Sequence, residues 1–167
     1  MTKLFGAIFI ISASVLTGFS IGAKLHERVR LLTALRIMLQ RLRRELSVSM
    51  PEYIQMFEND RDELTKPISS RIVTELKGGG TPSGSVKSAF SSAYSVRLLK
   101  SEEREFFSGV LSMLGEGSLS GAEDMLTNAD EQIRQFILSA QEEEKNRSRV
   151  SLALSVYIGL AAAILLS

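Results

Sequence analysis

The chain is apolar at both ends and charged between them. Leu4 to Ala23 runs without one charged side chain, and Val150 to Ser167 repeats this at the other terminus. A helix rises about 1.5 Å per residue and a bilayer core is roughly 30 Å thick, so the first run spans and the second barely does. Leu4, Phe5, Ile8, Phe9, Ile10, Ile11, Val15, Leu16, Phe19 and Ile21 each favour insertion by about 0.3–0.6 kcal/mol, which outweighs the Ser, Thr and Gly residues among them. The C-terminal run is weaker, because Ser151, Ser155, Tyr157 and Gly159 interrupt it; its alternative is a helix buried in protein or lying in the bilayer surface. The first run has an alternative too. Lys3 and the small pair Gly22-Ala23 resemble the flanks of a secretory signal, yet the run is longer than an h-region and its positive charge follows it. A retained anchor is the better account.

Charge sets the orientation. Between Lys24 and Arg44 there are seven Lys/Arg residues and one acid, Glu27, although the whole chain of 167 residues carries a net charge of only +1. Lys145, Arg147 and Arg149 precede the second apolar run. Basic flanks stay in the cytosol, so both clusters place the middle of the chain there and both termini outside. The expected organisation is an anchor at 1–23, a cytosolic helical domain at 24–149 and a second membrane helix at 150–167. The middle part, about 125 residues, is long enough for one hydrophobic core.

Apolar residues recur at helical spacing almost throughout. After the anchor they fall at Leu25, Val29, Leu32, Leu35, Leu39, Leu42 and Leu46, in steps of three and four. No Gly or Pro beyond Gly22 separates this seam from the apolar run, so one long helix is expected, reaching about 35 Å past the membrane and ending before Pro51. Ser49 is a candidate N-cap for a short helix through Phe57, and 59–65 is polar enough for a loop. A helix near Pro67 carries Ile68, Ile72, Val73 and Leu76 and stops at Gly78-Gly79-Gly80. Thr81-Pro82 reads as N-cap and first residue of the next, with Val86, Ala89, Phe90, Ala93 and Val96 on one face. Ser101 with Glu102 and Glu103 starts another, whose inner face is Phe106, Phe107, Val110, Leu111 and Leu114 and whose end is marked by Gly115 and Gly117. Ser120 and Glu123, around Gly121, have capping-box spacing for a last helix, with Met125, Leu126, Ala129, Ile133, Phe136, Ile137 and Ala140 inward. The fold class is all-α: an antiparallel helical bundle between two terminal transmembrane helices.

Reactive chemistry is hard to find. The chain has no cysteine and a single histidine, which removes disulfides, thiolate nucleophiles and Cys-ligated metals. The triple glycine lacks the Gly-Lys-Ser/Thr ending of a phosphate loop and reads as a helix stop. Glu102, Glu103 and Glu105 diverge around a helix and read as a solvated helix start suited to its dipole. His26 reads as a solvated residue just outside the bilayer, and Glu142–Glu144 as charge beside a membrane helix. The serines have no base to activate them. The expectation is a non-enzymatic protein without metal or cofactor. The remaining signal is the basic helix: at 100° per residue Arg30 and Arg41 stand nearly opposite the leucine seam, with Arg44 at the side. Anionic-lipid affinity and plain solvation account for such a face, and a docking surface for an acidic partner is the sharper reading. Nucleic-acid binding is not supported, since no aromatics interleave with these arginines.

The pattern as a whole resembles the stage III sporulation protein AB family. Leu114 to Leu126, Ala140 to Asn146 and the terminal Gly159 to Leu166 carry the resemblance most clearly. Gly18-Phe19, Arg28 and the Met50-Pro51-Glu52-Tyr53 stretch add to it. Leu154-Ser155 departs from the Leu-Gly pair usual there. The resemblance implies a membrane component of an export or feeding apparatus, in the mother-cell membrane facing the forespore, beside a companion secretion-type ATPase and other channel subunits. It also implies a helical domain similar to the cytoplasmic domains of type II secretion and type IV pilus platform proteins. Arg30, Arg41 and Arg44 become the candidate partner contacts, and Leu114, Gly115, Ser120, Gly121 and Glu123 the candidate turn and cap residues. The competing class is a membrane-tethered regulatory bundle; a holin-like pore former is disfavoured by the large charged middle.

Overall fold

A computed structural model describes the backbone of residues 2–49, 52–116 and 119–166. The side chains of 2–21, 47–49, 116, 119–123, 148–149, 151–153, 155–156 and 158–166 lie outside the described set. The described residues are helices and loops without a strand: α1 (Thr2–Ser49), α2 (Gln55–Glu58), α3 (Lys66–Lys77), α4 (Pro82–Ser92), α5 (Ser101–Glu116) and α6 (Leu119–Leu166), with a 3-10 turn at Tyr94–Leu98 between α4 and α5. Two compact units emerge: 28–138, and 1–27 together with 139–167. Among the described residues no helix is long and apolar enough to cross a membrane. The anchor expected at 1–23 and the membrane helix expected at 150–167 fall almost wholly on side chains outside the described residues.

In the larger unit α1 is packed on more than one side. Leu31, Leu32, Ala34, Leu35, Met38, Leu39 and Leu42 are all buried, a wider stripe than the single seam read from periodicity. The neighbours explain the width. Arg28 reaches α5, Arg36 reaches α6, and the Ser69 hydroxyl of α3, which donates to Asp60 Oδ2, stands 3.7 Å from the Met38 sulfur. Val29 and Leu46 are only half-buried. Ile68 and Ile72 of α3, Val86 and Ala89 of α4, Phe107 and Leu111 of α5 and Ile133 of α6 complete the core. Each such large side chain is worth about 1.5–3 kcal/mol when buried, against roughly 0–1 for an exposed ion pair. Apolar burial therefore holds the bundle.

The turns follow local chemistry. α3 ends in a Schellman motif: the Gly79 amide donates to the Leu76 carbonyl at 3.0 Å and the Gly80 amide to that of Glu75 at 2.9 Å. Gly79 has a φ of 86°, where a Cβ would be strained. Thr81 caps α4 by accepting from the Gly84 amide at 3.2 Å, with Pro82 as first helical residue. Two expectations need correction. The helix after Pro51 starts only at Gln55, and Ser49 closes α1 rather than capping α2. α4 ends at Ser92, with Val96 in the separate 3-10 turn, because Ala93 and Leu99 are extended and break the helix on either side. α5 ends at Glu116, where the glycines at 115 and 117 are expected to stop it.

In the smaller unit His26 Nδ1 and Glu144 Oε1 lie at hydrogen-bond distance, 3.0 Å apart. His26 is exposed, as expected, but has this carboxylate beside it rather than water alone. Ala140 is buried in the same unit.

Candidate interaction surface

The arginines of α1 have separate fates, decided by what packs against each turn of the helix. Arg28 is buried and forms a two-pronged pair with Glu103: its Nε donates to Oε2 at 3.2 Å and its Nη2 to Oε1. Glu103 is only 2% exposed. Its Oε2 also accepts from the Lys100 amide at 2.8 Å, at the entry to α5. One carboxylate thus caps α5 and locks its first turn against α1. The solvated helix start expected for Glu102, Glu103 and Glu105 is correct for the two exposed members and wrong for Glu103. The signal lay in the spacing of Lys100 and Glu103, since a Glu three residues past an N-cap can reach back to its amide. Its partner on α1, 75 residues away, left no trace in sequence.

Arg36 pairs with Asp130 of α6 through Nε to Oδ1 at 2.8 Å and Nη2 to Oδ2 at 2.7 Å, and Gln40 donates to Oδ1 at 2.9 Å. The Arg36 hydrogen bond holds the Asp130 carboxyl below the usual carboxylate range; partial burial opposes this, and Gln40 and the charges of Arg36 and Arg43 reinforce it. Arg36 is correspondingly held in its charged form.

Of the three arginines expected to share a docking face, the structure brings only two onto one stripe. Arg30, Thr33, Ile37, Gln40 and Arg44 are all exposed, at alternating steps of three and four. Ile37 at the middle is 55% exposed. Arg41 is half-buried instead. Its Nη2 donates to the Met56 carbonyl at 3.2 Å, its Nη1 to the Asn59 carbonyl at 3.1 Å, and Asp60 stands 3.4 Å away. The 52–60 segment folds back over this turn of α1, which periodicity along a single helix does not foresee. A groove of about 420 Å³ lies beside Arg44, walled by Leu39, Gln40 and Arg43 from α1 and by Leu126, Asp130 and Ile133 from α6.

Gly115, expected to end its helix, has a packing role. A Cβ there would collide with Pro82 Cβ and stand 3.0 Å from the Tyr53 ring. The same ring is tied down by its hydroxyl, which donates to the Leu111 carbonyl at 2.7 Å. Leu114 is half-buried beside it. The side chains of Ser120, Gly121 and Glu123 lie outside the described residues, and so does the capping box expected of them; α6 starts at Leu119. Among the described residues no group of three or more His, Asp or Glu is placed to hold a metal ion.

The sequence model of stage III sporulation protein AB matches residues 3–167. The chain belongs to that family. The match spans both apolar ends and the residues between them. No curated protein and no solved structure matches the chain.

Proposed function

We propose that this sporulation-related protein is a non-enzymatic platform subunit of a trans-envelope secretion or feeding apparatus. In this reading the apolar ends of α1 and α6 hold it in the mother-cell membrane that faces the forespore. The bundle stands in the cytosol, where it docks a companion secretion-type ATPase and other channel subunits. One observation carries the reading. A single helix, Thr2–Ser49, bears both the apolar run 4–23 and the basic stretch whose leucines form the bundle core, and Leu119–Leu166 repeats the arrangement in reverse order. The exposed stripe of Arg30, Ile37 and Arg44 is the face we assign to an acidic surface of the ATPase; Arg41 is withdrawn from it because its guanidinium binds the 52–60 segment.

Two experiments test this. Topology reporters fused after Ser167 and within 78–80 should report the extracytoplasmic and the cytosolic side, respectively. An extracytoplasmic signal from the inner fusion refutes the orientation. Affinity purification from detergent should bring down a ring ATPase and membrane subunits, and Arg30→Glu with Arg44→Glu should release the ATPase and lower spore yield. Unchanged association in that double variant removes the stripe from the interface. Capture of a soluble regulator in place of the ATPase would favour a tethered regulatory bundle.

A further inference from the structure

Two exposed helix stripes within the 28–138 unit carry opposite charge. On α1, Arg30 and Arg44 stand seven residues to either side of Ile37, and all three are exposed. On α5, Glu102, Glu105, Gly109 and Met113 are exposed while Glu103, Phe107, Val110 and Leu111 are buried. The outer face of α5 is therefore acidic at its start and apolar further on. Met113 and Ile37, at 61% and 55% exposed, are the most open aliphatic side chains described in this unit. Gly109 lies on the α5 stripe between the acids and Met113, and a Cβ there would have nothing within 4 Å. A helix interior disfavours glycine, and packing inside the described chain does not require one at this position. What it offers is a place where a second backbone can come close.

The stripes match in spacing as well as in charge. Glu105 lies eight residues before Met113, a rise of about 12 Å, and each α1 arginine lies about 10–11 Å along the helix from Ile37. With Met113 set against Ile37, the acidic start of α5 comes level with an arginine. The α1 stripe is symmetric about Ile37, so this holds for parallel and antiparallel approach alike. Helices crossing at about 20° stay within side-chain reach over such a length. Inside one chain the two stripes do not meet, because α5 is fixed on α1 through the buried Glu103 and Arg28, which lie on other faces of the two helices. The α5 that fits the α1 stripe is that of another copy.

We propose that the chain self-associates, the Glu102–Met113 stripe of α5 in one copy docking on the Arg30–Arg44 stripe of α1 in a second. Met113 packs on Ile37, Gly109 admits the facing helix, and Glu102 and Glu105 meet an arginine. Every copy carries both stripes, so the contact can repeat from copy to copy. It covers the surface assigned above to the ATPase, and the two occupants exclude each other: a neighbouring copy holds the stripe until the ATPase displaces it. That exclusion rests on the functional reading above; the contact between copies does not. The chain has no cysteine, so introduced cysteines report the contact. Full-length Ile37→Cys and Met113→Cys chains, differently tagged, are co-expressed, solubilised in detergent and mildly oxidised. Both sites are exposed, so neither change opens the core. The control pair is Lys87→Cys with Met113→Cys, Lys87 being exposed on α4.

A disulfide-linked pair bearing both tags, at least about tenfold more abundant than from the control pair, is the expected result. Arg30→Glu with Arg44→Glu on the Ile37→Cys chain should cut that yield at least about tenfold, since like charges then face each other; Glu102→Arg with Glu105→Arg on the Met113→Cys chain should do the same. Pairing the two reversed chains should restore it. Failure of that restoration, or equal linkage in the control pair, overturns the contact. Gly109→Phe has open space in the lone chain and should also lower the yield; an unchanged yield overturns the close approach. Added ATPase should lower the parent yield, and ATPase that binds without lowering it overturns the exclusion. ATPase captured by chains that never cross-link overturns the contact and leaves the functional reading standing. Cross-linking without any ATPase captured supports the contact and defeats the functional reading alone.

Discussion

Replacing Glu103 by leucine tests whether the buried pair is what seats α5 on α1. The side chains of Arg28 and Glu103 are 6% and 2% exposed, so neither charge is well solvated in the folded state. Removing one member of a buried pair costs about 3–5 kcal/mol, because the remaining charge keeps its desolvation penalty and loses its counter-charge. Arg28 has contacts beyond this carboxylate, which favours the lower end, about 3 kcal/mol. Losing the acceptor for the Lys100 amide adds about 1 kcal/mol of cap energy. For a chain of this size 1 kcal/mol shifts the melting temperature by about 2–4 °C, so Glu103→Leu should lower Tm by about 8–16 °C. Glu103→Gln retains a carbonyl oxygen for the Lys100 amide and should fall less. Far-UV circular dichroism of the full chain in one detergent, scanned at one protein concentration, reads the effect. The decisive comparison is Glu103→Leu with Arg28→Leu, which removes both charges and should recover most of the loss. If the single variant melts within about 2 °C of the parent, or the double variant melts lower still, the pair does not hold α5 in the way argued.

Three further outcomes follow from other contacts. Gly115→Ala should destabilise by about 1–3 kcal/mol despite a helix-propensity gain of up to about 1, because the new methyl meets Pro82 and the Tyr53 ring; a rise in Tm would refute that packing. Thr81→Ala should cost about 1 kcal/mol through loss of the bond from the Gly84 amide while Thr81→Ser is nearly neutral, and chemical denaturation of the three chains compares them. Asp130 is held below its ordinary value in the folded state, so its stabilisation is full above the unfolded-state value and is lost as pH falls through the lower folded one. Acid titration of Asp130→Asn, followed by circular dichroism, should accordingly show a shallower acid limb than the parent; superimposable limbs would remove Arg36–Asp130 from the account.

Much of the local structure was legible because its causes are local. The Gly78-Gly79-Gly80 stop, the Thr81-Pro82 start and the unbroken α1 each depend on residues within one or two turns, where backbone sterics and capping decide the outcome. The candidate surface was legible only in part. Periodicity places Arg30 and Arg41 away from the leucine seam, yet it cannot tell that the 52–60 segment returns to bind Arg41 while Arg44 stays exposed. Glu103 shows the same limit. Its neighbours in sequence mark a solvated helix start, and only a guanidinium 75 residues away makes burial favourable.

From its sequence alone this chain is all-helical, charged in the middle and apolar at both ends, and a member of a sporulation family, because composition and spacing act over a few residues at a time. The tertiary structure decided which charges are spent inside. Arg28 and Arg41 fix α5 and the 52–60 segment, Gly115 admits Pro82 and Tyr53, and Arg30, Ile37 and Arg44 are left facing outward. The physical reason is that desolvating an ion is tolerable only where a counter-charge has been brought to it from elsewhere in the chain, and that juxtaposition exists only once the helices have packed.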